Sequence, residues 1–223
     1  MSNNTLRDCI SQPIPEIFEA AGLLNRAVAA HLAGDCLLAA DLIKQADMPV
    51  IGEWLDPIWL HASANQKVKL ELPPVLPKEQ RYQMRHPTTQ MKREMVRRDG
   101  HTCRFCGIPL VRAEVRKKLC KLYPEARWIP RKEQTDQHRG LQVMWLQYDH
   151  VVVHSRGGPT ALNNLVVTCP ACNFGRDRFT LEEVQVSDPR TTVRVLPAWD
   201  GRRTWTGLEM ILPESERYVH VTC

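Results

Sequence analysis

Cys103 and Cys106, then Cys169 and Cys172, form two Cys-x-x-Cys pairs, and Asp149-His150 lies between them. Two such pairs supply four soft sulfur ligands, the set that holds a structural zinc in a tetrahedron. A carboxylate followed at once by an imidazole offers different chemistry. Aspartate is a hard oxygen ligand, and a neutral histidine accepts a proton near pH 7. Asn164 and Asn173 follow downstream and add amide groups. The spacing reads as two sites with separate tasks, one that holds the fold and one that does chemistry. The cysteine pairs are 62 residues apart, so the segment between them must fold back for both knuckles to reach one metal. Cys9, Cys36, Cys120 and Cys223 have no partner at ligand spacing and read as free thiols.

The elements that must position these residues are legible from local pattern. The β-branched run after Asp149-His150 predicts a strand, and Gly157-Gly158-Pro159 predicts a turn. Asn164-Leu-Val-Val-Thr predicts a returning strand into Cys169, and Pro170 to Arg178 a helix carrying Asn173. Strand alternation places His150 and His154 on one face but far apart, so His154 reads as a structural or phosphate contact. His101 and His138 read as surface or packing residues. Upstream, Thr88 or Thr89 can cap a helix running to about Arg98, and Asp99-Gly100 turns the chain into the first cysteine pair. Residues 111–122 predict a basic helix, residues 124–134 a loop anchored by Trp128, and Thr135 to Gln147 another helix with His138, Gln142 and Trp145 on its surface.

The sequence from residue 88 to 180 resembles the HNH nucleases. The resemblance rests on Asp149-His150, on Asn164-Leu165 and on Asn173, flanked by Arg-Asp-Gly-His-Thr-Cys-Arg-Phe-Cys-Gly and Ser-Arg-Gly-Gly. It implies an α+β fold: a ββα-metal core with a four-cysteine zinc knuckle, preceded by a small all-α region. It implies a metal-dependent endonuclease acting on DNA phosphodiester bonds. His150 would be the general base, and Asn164 would orient its ring or brace the loop. Asp149 and Asn173 would hold a magnesium or manganese ion, and Cys103, Cys106, Cys169 and Cys172 a structural zinc. The third motif position is Asn173, where the family name implies a histidine. Arg97, Arg98, Arg104, Arg156, Arg176 and Arg178 flank the motif and are expected to meet nucleic acid. The alternative is a non-catalytic zinc-knuckle module that binds DNA or a protein partner. The tail resembles larger bacterial members, and a phage-defence role is expected from an acidic helical N-terminal region that would dock a partner, as in bacterial systems that restrict phage.

Charge supports a phosphate-bearing partner. Residues 78–132 carry 16 Lys/Arg against 5 Asp/Glu, whereas residues 1–77 carry 5 against 9. The acidic first part predicts three helices over residues 15–62, the last interrupted near Pro57. Their apolar stripes, Leu37 and Leu38 included, predict core. Trp54 and Trp59 suggest a docking surface for a protein partner. The expected division is a helical region over 1–64, a stiff Pro-rich linker over 65–87 and a nuclease domain with a C-terminal extension over 88–223. No run of apolar residues is long enough to span a membrane, and the N-terminus lacks an apolar signal core, so a cytoplasmic location is expected.

Overall fold

A computed structural model describes residues 6–71, 73–127 and 137–191. Among these, two compact units form, each from separated stretches of chain. One takes in residues up to Gln12, Pro57–Gly107 and Gln147 onward; the other takes in Pro13–Asp56 and Ile108–Leu146.

The helical unit begins with α1 (Pro15–Leu32), whose proline sits in the first turn, where a missing N–H costs nothing. Ile17, Ala20, Ala21, Leu24, Ala27 and Val28 form its buried stripe. Gly34 follows at φ +82°, and the Asp35 carboxylate accepts from the Leu38 N–H at 3.0 Å to start α2 (Cys36–Gln45). Leu42 and Ile43 are buried, but Leu37 and Leu38 are exposed, against their expected place in the core. Leu37 stands on the face of α2 opposite Ala39, Leu42 and Ile43, and Leu38 stands at the edge of that buried face, where the helical period puts them.

The third helix, α3 (Pro49–Leu60), continues through Pro57 instead of breaking there. Ile51 and Leu55 are fully buried and hold it to the core. Downstream, α5 (Ala113–Leu122) buries Val115 and Leu119. Of the helix expected over residues 135–147, the described residues form α6 (Arg139–Val143). His138 explains its start: Nδ1 accepts from the Leu141 N–H at 3.1 Å, and Nε2 lies 2.8 Å from the Ile43 carbonyl. His138 and Gln142 are buried, not on a helix surface as expected. Trp128, expected to anchor a loop, lies outside the described residues, as does the C-terminal extension past residue 191.

The other unit contains α4 (Thr89–Asp99), capped by Thr88, whose hydroxyl accepts from the Met91 N–H at 3.2 Å. Strand β1 (Gln147–His150) pairs antiparallel with β2 (Leu165–Thr168), placing Asp149 opposite Val166 and His150 opposite Leu165. Helix α7 (Pro170–Arg176) follows directly. The β-branched run does not extend the first strand past His150. Beyond it the Asn164 side chain replaces a backbone partner, accepting from the Val152 N–H at 2.8 Å. The chain then enters a turn of 3-10 helix at His154–Arg156.

The segment expected to be a linker is laid along this unit. The N–H groups of Lys67 and Val68 donate to the Glu183 carbonyl, and that of Leu76 to the Ser155 carbonyl at 2.8 Å. Trp59 stacks on Phe174, with ring centroids 4.5 Å apart, so it is not a free docking residue. Cys9 and Cys120 are in no disulfide, but Cys36 is disulfide-bonded, which corrects the expectation for that residue. Ligand spacing along the chain is blind to a pairing made through space. Cys223 lies outside the described residues.

Candidate active site and metal centre

The four motif cysteines come together. Their sulfurs lie within 4.8 Å of one another, and Cys106 and Cys169 are 3.5 Å apart. Ligands about 2.3 Å from a zinc at tetrahedral angles would sit about 3.8 Å apart, so the donor set and its size both fit that ion. Local sequence makes each knuckle. Gly107 takes φ +76° as its N–H closes a turn on the Cys103 carbonyl at 3.0 Å. Cys169 is the cap of α7, its sulfur accepting from the Cys172 N–H at 3.5 Å, and Pro170 holds the first turn. Cys9, buried nearby, is not part of the cluster. Burial, then the sulfurs of Cys103 and Cys169, push its thiol up to about 12, so it stays protonated.

The second cluster is organised by a residue given another task in the sequence reading. Arg176, on α7, is 1% exposed. Its guanidinium donates twice to Asp149 Oδ2, at 2.5 and 3.2 Å. It also donates to the backbone carbonyls of His150, Val151 and Phe179. Asn173 lies one turn before it, on the same side of the helix. Arg176 thus ties α7 to β1 and brings the faces carrying Asn173 and Asp149 together. Both guanidinium bonds end on Oδ2 of Asp149. Burial raises the Asp149 carboxyl above its ordinary value, and the Arg176 charge pulls against that. Asp149 and Asn173 offer oxygen donors, the kind a hard divalent cation takes.

His150 lies at the end of β1, with Nε2 2.9 Å from Thr160 Oγ1. Burial first, then the charges of His154, Arg176, Arg85 and His86, lower its pKa to about 4. The ring is therefore neutral at pH 7. His154 is close, with ring centroids 5.3 Å apart, which corrects the separation expected from an extended strand. The 3-10 turn curls the chain back. His154 Nε2 lies 2.9 Å from the Tyr82 carbonyl.

Asn164 braces the loop between the strands. Its amide donates to the carbonyls of Val152 at 3.0 Å and Pro159 at 2.9 Å, while its oxygen takes the Val152 N–H. Gly158 is needed in the same place: a Cβ there would fall 1.7 Å from the Val152 carbonyl oxygen. Thr160 follows, its hydroxyl donating to the Met84 carbonyl.

The expected arginine contacts divide sharply. Arg97 and Arg178 are exposed. Arg98 is part exposed but is bound to Asp99 at 2.7 Å and to the carbonyls of Leu162 and Leu165. Arg104 donates to the Pro189 carbonyl at 2.6 Å. Arg156 is paired with buried Glu183 at 2.8 Å, and Arg176 is the buried tie just described. These last two are structural ion pairs, which corrects the expectation that they clamp phosphates. Exposed Arg85 and His86, next to the site, were missed. Proline-rich surroundings made them read as linker, and no local signal marks them.

Residues 135–176 match the model of the family described as HNH endonuclease. That span holds Asp149, His150, Asn164, Asn173 and the second cysteine pair. Comparison with curated proteins and with solved structures gave no match.

Proposed function

We propose, from an HNH endonuclease domain at residues 135–176, that this protein hydrolyses DNA phosphodiester bonds around a ββα-metal core. Neutral His150 takes a proton from the attacking water as general base. Asp149 and Asn173 would hold a magnesium or manganese ion, which would supply positive charge at the phosphate under attack. The four cysteines hold zinc and set the helix against the strands. Asn164 braces the loop that faces His150. Exposed Arg97, Arg178 and Arg85 offer charge to the DNA backbone. The observation that supports this reading most is the joining of β1 and α7 by Arg176, whose guanidinium holds Asp149, the residue next to neutral His150, one helical turn from Asn173.

Supercoiled plasmid incubated with magnesium or manganese tests it. The wild type should nick the plasmid, and His150→Ala should slow cleavage about 100-fold or more with zinc content unchanged. Cleavage that survives this substitution sinks the mechanism. The guanidinium already on Asp149 favours a second reading, a zinc-knuckle module that binds DNA without cutting it. Retained DNA binding with no cleavage under either metal identifies that outcome. Two outer parts complete the proposal: a partner docked on α2, where Leu37 and Leu38 stand exposed, and use of cleavage against phage. Capture by the wild type but not by Leu37→Asp checks the first, and plaque counts with and without His150→Ala check the second.

A further inference from the structure

We infer that Thr160 is a positioning residue for His150, fixing the neutral ring with its proton on Nε2 and its lone pair on Nδ1. The inference rests on the nuclease reading for its consequence but on hydrogen-bond accounting for its geometry. A threonine hydroxyl has one hydrogen to give. At Thr160 that hydrogen is given to the Met84 carbonyl, which can only accept. The 2.9 Å bond between Thr160 Oγ1 and His150 Nε2 must then run the other way, with the ring donating. In a neutral imidazole only one nitrogen carries a proton, so Nδ1 is left to accept one.

The hydroxyl is held where it must be. Thr160 is 8% exposed, and its loop is pinned by the Asn164 amide on the Pro159 carbonyl, the residue just before it. Gly158 lets that loop approach Val152 closely enough for the Asn164 bonds to form. Burial alone would ask only that the Thr160 hydroxyl be satisfied, and the Met84 carbonyl already does that. The bond from His150 is additional. It removes the freedom of the ring to flip or to exchange tautomers, either of which would turn an N–H toward the water it is meant to deprotonate.

The test uses the full chain with Thr160→Val, which keeps the shape and removes the hydroxyl, and Thr160→Ser, which restores it. Nitrogen-15 spectra of the His150 ring read the tautomer directly. The wild type and Thr160→Ser should show the Nε2–H form, and Thr160→Val a mixture. In plasmid cleavage, kcat for Thr160→Val should fall about 10- to 100-fold with KM little changed, and Thr160→Ser should recover most of it. An Nδ1–H ring in the wild type overturns the inference without any variant, as does an unchanged tautomer or an unchanged kcat in folded Thr160→Val. If the wild type shows the Thr160-dependent tautomer yet cuts no DNA under either metal, the nuclease reading fails and the assignment of the ring stands.

Discussion

Removing water from around His150 costs its charged form more than its neutral form, and that sets two expectations. Its pKa in the folded chain, about 4, lies below the ordinary 6.5, so the unfolded chain binds the proton more readily. The stability this supplies is complete above pH 6.5 and is lost as the pH falls toward 4. A ring titration followed by NMR should find the His150 midpoint near 4, and a midpoint near 6.5 would show that the ring is not desolvated. Arg176 makes the opposite kind of claim. A surface phosphate clamp could be removed with little effect on folding. A buried guanidinium paired with Asp149 cannot, because the carboxylate stays behind without its charge partner. Arg176→Met should cost about 3–5 kcal/mol in urea unfolding. Arg176→Lys should rescue little, since one ammonium cannot reach two carboxylate bonds and three carbonyls.

The two strands and the helix after them were legible because each carries a local signal. Thr168-Cys169-Pro170 ends a buried strand and starts a helix, with a sulfur cap and a proline in the first turn. The end of β1 was not legible. Three valines in a row favour a strand, but the bond that stops it comes from Asn164, a side chain 12 residues away. The three-fold grip of that side chain requires the backbone approach at Gly158. Gly158→Ala should therefore cost about 1–3 kcal/mol and lower cleavage as well, because the same loop carries Thr160. Thermal unfolding and the plasmid assay read the two effects separately. The segment before α4 was misread for a related reason. Proline-rich composition predicts stiffness, but Tyr82 and Met84 use backbone carbonyls to hold His154 and Thr160, which no composition records.

Across the chain, composition identified the charged region but not which charges are free. Arg156 and Arg176 find their carboxylates 27 residues away, so both looked unpaired in sequence. Salt dependence should separate them from the exposed pair. Arg97→Ala and Arg178→Ala should each reduce the slope of log affinity against log salt by about 1 in DNA binding measured without cleavage. The four-cysteine cluster gives a second expectation. Chelation should release about one zinc per chain and unfold the unit containing β1 and β2, lowering the melting temperature. The cysteine spacing has another consequence, which falls on synthesis. Cys103 and Cys106 leave the ribosome as half a ligand set, and Cys169 and Cys172 follow only after 62 intervening residues. At ordinary elongation rates that interval is on the order of several seconds. During it the first two thiols have no metal cage to protect them, so oxidative stress during translation should damage nascent chains far more than finished protein.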